Sequence, residues 1–119
     1  MRLYCAAFCL IACDCFHPTY DQVDAAMRAA SACIRYEAAA VAPADVDLDG
    51  ATAAVLANCA GELAAERAMV IARYGQDRDP LEPPVEEVVT LRKHEARNAV
   101  ANVRAHARLH HTKRQARNF

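Results

Sequence analysis

Apolar residues recur at three- and four-residue intervals in three separate stretches of the chain. In the first, Val23, Met27, Ala30, Ile34, Ala38 and Val41 share one helical side. Thr19 can cap that helix and Gln22 can complete a capping box, each side chain accepting from a free backbone N–H of the first turn. Pro43 disfavours helical geometry at Ala42 and so ends the run. In the second stretch Val55, Leu56, Cys59, Leu63, Val70 and Tyr74 line up over a helix of residues 51–74, with Gly75 placed as a left-handed C-terminal cap. In the third, Val85, Val88, Val89, Ala96, Ala99, Val103 and Ala107 mark a helix over 85–109. Pro84 suits its first position, and Glu86 and Glu87 complement its dipole. Residues 112–119 are expected to fray. The pattern predicts an all-α chain: an antiparallel hairpin of 19–41 and 51–74, joined by the loop 43–50, followed by a third helix. Residues 76–84, with Pro80, Pro83 and Pro84, read as a stiff linker.

Composition adds one constraint on the core. Of 119 residues 28 are alanine, none is tryptophan and three are glycine. Alanine favours helix but buries little area, so the core should be thin and the helices closely spaced.

The cysteines offer a remedy for a thin core. Cys33 lies 8 residues before Val41 and Cys59 lies 9 residues after Gly50. At ~1.5 Å per residue both stand about 12–14 Å from the turn of the hairpin, on or beside the apolar stripe. They are therefore level and facing, and a disulfide between them is expected. Two separate buried thiols are the alternative.

Charge is unevenly distributed. Residues 1–91 hold 6 Lys/Arg against 14 Asp/Glu, a balance of −8, and residues 92–119 hold 8 against one, a balance of +7. Such asymmetry points to an anionic partner or to a tail that neutralises its own acidic body. Lys93, Arg97, Arg104 and Arg108 fall on one side of the third helix and form a candidate polyanion-binding stripe. No aromatic residue interleaves them, which argues against single-strand stacking. Arg92 falls instead among the apolar positions, where its stem can lie along the core.

Other candidate chemistry is weaker. Asp45, Asp47, Asp49 and Gly50 resemble the first half of an EF-hand calcium loop, but Ala53 and Leu56 stand where further ligands belong. Helix capping by Asp47 or Asp49 is the expected role. His106 and His110 are one turn apart, the spacing of a helical metal pair, but no HExxH motif surrounds them. Glu62 and Glu66 are also one turn apart and read as a charged outer face. No set of acids, bases and nucleophiles converges, so a non-enzymatic protein without a cofactor is expected.

The N-terminus carries a location signal. Arg2 precedes an apolar run, Leu3 to Ala12, that ends at Cys13. Leu10-Ile11-Ala12-Cys13 resembles the lipobox of bacterial lipoproteins, whose cysteine is lipidated and becomes the new N-terminus. The resemblance implies a signal segment of residues 1–12, lipidation at Cys13, a tether of 13–18 and a periplasmic, membrane-anchored body. Its partners would be the membrane and anionic lipid or an envelope protein, with nucleic acid less favoured. Two other readings remain. Residues 1–12 can be a buried helical turn, or Cys5, Cys9 and Cys13 can form one helical face for a soft metal. A retained N-terminus would suit a cytosolic helical module binding nucleic acid or protein.

Overall fold

The computed structural model describes residues 17–75 and 85–118, and these form four helices. Helix α1 spans Tyr20–Val41. Thr19 is its N-cap, and the capping box with Gln22 is formed in both directions. Val23, Ala30, Ile34 and Ala38 are its buried residues.

The second expected helix is two. Helix α2 spans Leu48–Asn58 and helix α3 spans Ala60–Tyr74. The path starts three residues earlier than Ala51 because Asp47 is the cap: its side chain accepts from the backbone N–H of Gly50 at 2.7 Å. That close approach explains the glycine, since a Cβ on Gly50 would lie 2.7 Å from the Asp47 carboxylate. The helical path bends at Cys59, whose backbone leaves helical geometry at φ −99°, ψ 14°. Hydrogen bonds still cross the bend, from Cys59 N–H to Val55 and from Leu63 N–H to Cys59. At the far end Gly75 is not left-handed (φ −68°), so the expected cap is absent. The glycine is favoured there by a close approach, because a Cβ would run into the Ile71 carbonyl oxygen.

Helix α4 spans Val85–Arg117, eight residues further than its apolar stripe predicts. The expected fraying from Thr112 is not seen, and Thr112 itself bonds back to the Arg108 carbonyl. The stripe stops at Ala107 because the helix runs on past its partners. Every residue from His106 to Asn118 is exposed. The linker 76–84 and the signal, tether and lipobox residues up to Phe16 lie outside the described residues.

Helices α1, α2–α3 and α4 pack side by side, with α2–α3 antiparallel to the other two. The core is Ile34, Ala38 and Ala42 of α1 and its end, Ala51 and Val55 of α2, Cys59, and Ala96 and Val100 of α4. Half of these side chains are alanine, which confirms the thin core and lets the backbones approach closely. Cys33 and Cys59 form a disulfide that joins α1 to the bend between α2 and α3, with Cα atoms 5.9 Å apart. At the end where α1 starts and α3 stops, the Arg73 guanidinium sits 4.0 Å over the Tyr20 ring and donates to the Pro18 carbonyl. Interaction with the Tyr20 side chain holds the Arg73 pKa above its ordinary value.

Replacing Cys33 and Cys59 together with alanine should lower the stability of the oxidised protein by about 3 kcal/mol, the chain-entropy value for a loop of this length. Urea unfolding followed by circular dichroism measures it. Equal midpoints for the two proteins would show that the bridge contributes nothing.

Candidate functional site

The four residues of the expected basic stripe do not share one free face. Arg104 is half-buried and turned into the bundle. Its guanidinium donates to the carbonyls of Ala42 at 3.0 Å, Ala44 at 3.2 Å and Val46 at 2.8 Å. It thereby caps the end of α1 and the turn that follows, where backbone carbonyls have no helical donors left. Arg97 is exposed and pairs with Asp49 in the first turn of α2. Lys93 is exposed at the edge of a groove between α3 and α4. Arg108 is exposed and its side chain has no ion pair or hydrogen bond among the described residues.

The acidic loop divides its labour in the same way. Asp47 caps α2 and Asp49 takes Arg97. Two of its three carboxylates thus have structural roles. Among the described residues no group of three or more His, Cys, Asp or Glu side chains is placed to hold a metal. His106 and His110 both lie exposed on α4, and His106 Nδ1 is 3.0 Å from the Asn102 carbonyl.

Among the described residues of α4, most of the unpaired positive charge lies beyond the bundle. Past Arg104 the helix carries Arg108, Lys113, Arg114 and Arg117, with His106, His110 and His111 and no acid. These residues are exposed. At ~1.5 Å per residue the segment from Ala105 to Arg117 extends α4 by about 20 Å. The candidate polyanion site is therefore this arm, joined to the expected stripe only at Arg108.

Two charged residues escaped the sequence reading. Glu66, taken as part of an outer face, is 2 % exposed. Arg92 does more than lay its stem on the core. Its Nε donates to both Glu66 oxygens at 2.9 and 3.0 Å, and Nη2 reaches Glu66 again and the Met27 carbonyl. Nη1 donates to Ser31 Oγ at 2.6 Å and pairs with Glu95. One side chain so ties α1, α3 and α4 together. The hydrogen bond to Glu66 is the largest cause of an Arg92 pKa raised above its ordinary value, with desolvation opposing it. Both residues occupy apolar stripes, Glu66 between Leu63 and Val70, Arg92 between Val89 and Ala96. Two lone, opposite charges on apolar faces are the signal that could have paired them. Among the described residues no buried side-chain polar atom lacks a partner, so the network is complete. It joins three helices through a single side chain.

Arg92→Met should destabilise the fold by about 3–5 kcal/mol, since it leaves the Glu66 carboxylate buried and unpaired. The double variant Glu66→Leu/Arg92→Met should lose less than Arg92→Met alone. Denaturant midpoints of the wild type and the variants decide it; simple additivity would mean that the two side chains are not coupled.

Compared with protein-family models, curated proteins and solved structures, the chain finds no match among any of the three.

Proposed function

We propose that the protein is a non-enzymatic adaptor of the bacterial envelope, in which a disulfide-pinned helical body holds a cationic helical arm toward an anionic surface. The arm is the observation that carries the reading. It holds four Lys/Arg and three His on an exposed, continuous helix, without an acid to neutralise them. Clustered basic charge on one element is the electrostatic footprint of a polyanion partner. Three other basic residues of α4 are engaged within the bundle. Arg92, Arg97 and Arg104 fix α4 to the bundle, and Arg108, Lys113, Arg114 and Arg117 remain available.

Two features support this location. The Cys33–Cys59 disulfide suits an oxidising compartment. The lipobox-like string ending at Cys13 supplies a lipid tether in the same compartment. In this reading the tether and the basic arm give two modest membrane signals, the combination that stable anchoring needs. No helix of the described residues is long and apolar enough to cross a membrane. Anionic lipid is the favoured partner, an acidic envelope protein the next, and no cofactor is required.

Co-sedimentation of the full chain with phosphatidylglycerol and phosphatidylcholine vesicles tests the arm. Binding should be selective for the anionic vesicles and should weaken with salt, because exposed charges are screened beyond ~10 Å at 0.1 M. Reversing Lys113, Arg114 and Arg117 to glutamate should remove that selectivity and leave the unfolding midpoint of the body unchanged. Preference for duplex DNA at matched salt would replace this reading with a nucleic-acid module. Binding to neither would leave the arm without a polyanion partner.

The tether has its own test. Intact mass of the protein from bacterial membranes should show a chain beginning at Cys13 with added acyl mass, and Cys13→Ser should release it from the membrane fraction. An unmodified chain beginning at Met1 would remove the anchor from the reading.

A further inference from the structure

At the end of the bundle where α1 turns into α2, a groove of about 520 Å³ opens between that turn and α4. Its walls are aliphatic: Ala42, Pro43, Leu48, Ala101, Val103 and Ala107. Arg104 and Arg108 complete the lining, and no acid contributes to it. The volume falls within the ordinary range of small-molecule sites, roughly 300–1,000 Å³. The groove lies at the opposite end of the bundle from Pro18 and Gly75, where the described chain meets the segments 1–16 and 76–84. Helix α1, with 22 residues, separates the two ends by about 33 Å.

The polar chemistry of this groove is narrow. The carbonyls of Ala42, Ala44 and Val46, the natural acceptors at the end of α1, are already taken by Arg104. The backbone of α4 along the groove is bonded within its helix. Among the lining side chains this leaves the Arg108 guanidinium as the one unengaged polar group, exposed at the rim. A ligand for such a site has an aliphatic body and a single anionic head. Peptides and sugars, which need several hydrogen-bond partners, do not match it. A planar carboxylate matches guanidinium geometry because two parallel N–H···O bonds can form.

We infer that this groove binds a free single-chain aliphatic carboxylate, with its chain along Ala42, Leu48, Ala101 and Val103 and its head on Arg108. The site shares Arg108 with the arm but does not rest on the polyanion reading, because most of its apolar wall belongs to the bundle and it needs none of Lys113, Arg114 and Arg117.

The probe is dodecanoate, titrated below its aggregation concentration into the full chain and followed by methyl NMR. Saturable shifts should appear at Ala42, Leu48, Ala101 and Ala107. Butyrate, which has the head without the long chain, should shift them less at equal concentration. Dodecyltrimethylammonium, which has the same chain and the opposite charge, should bind at least about tenfold more weakly. Arg108→Glu should weaken dodecanoate binding by a similar factor. Ala107→Phe, a change at an exposed wall position, should block the groove while keeping the wild-type unfolding midpoint. The Lys113/Arg114/Arg117→Glu variant should still bind dodecanoate, which separates this site from the arm. Equal binding of the cationic and anionic probes, or dodecanoate affinity unchanged by Arg108→Glu, would overturn the inference.

Discussion

The Arg92 guanidinium is the point on which the packing of this protein turns. Alanine-rich helices approach closely but have few large side chains to set their rotation and register. A buried ion pair is a poor source of net stability, because desolvation offsets the attraction. It is a good source of position, because a planar fork accepts its partners in few geometries. Arg92 engages Glu66 on α3, Ser31 and the Met27 carbonyl on α1, and Glu95 on its own helix. A slip of any of the three helices by one residue would leave a charge buried without a partner. The disulfide fixes α1 to the α2–α3 bend, and Arg104 fixes the far turn to α4. The small core is thus held by three directional contacts along its length.

That arrangement divides the basic residues of the last quarter of the chain into two groups. Three of the four within the bundle are internal fasteners: Arg92 for carboxylates, Arg97 for Asp49, Arg104 for carbonyls; Lys93 alone stays exposed at a groove edge. Those beyond the bundle are exposed on a stretch of helix that meets no other described element. The overall charge asymmetry of the sequence therefore overstates the free positive surface near the body and locates it instead at the tip of α4. The aliphatic groove sits at the junction of these two regions, where Arg108 is the first arginine past the last fastener.

The helices were legible in the sequence because their signals are local. The Thr19–Gln22 box, the stop at Pro43 and the 3–4 spacing of apolar residues each act within a turn or two. The disulfide was legible for a geometric reason: equal distances from one turn make two positions level in a hairpin. The pairings across helices were less visible. Helical projection placed Arg104 beside Arg97 and Arg108, but it cannot say that three carbonyls at the end of α1 wait opposite it. Glu66 stands one turn from Glu62, as an outer-face acid would, and only its place between Leu63 and Val70 marks it as lying on the apolar stripe. The bend at Cys59 left no mark in the apolar pattern, since Val55, Leu56, Cys59 and Leu63 keep three- and four-residue spacing through it. The extent of α4 exceeds its stripe because apolar periodicity reports packing, and its last turns pack against none of the described residues.

The continuity of α4 has a consequence for the arm's own folding. An isolated helix of a dozen residues is marginal in water, because its first turn must be organised before any hydrogen bond repays the ordering. Here that first turn already exists inside the bundle, where Arg92, Ala96 and Val100 are packed. Each further residue only has to propagate a helix begun elsewhere. The shape of the exposed tip is therefore borrowed from the body. Loosening the bundle would dissolve the tip as well, so a partner that recognises the helical tip recognises, at a distance, that the body beneath it is intact.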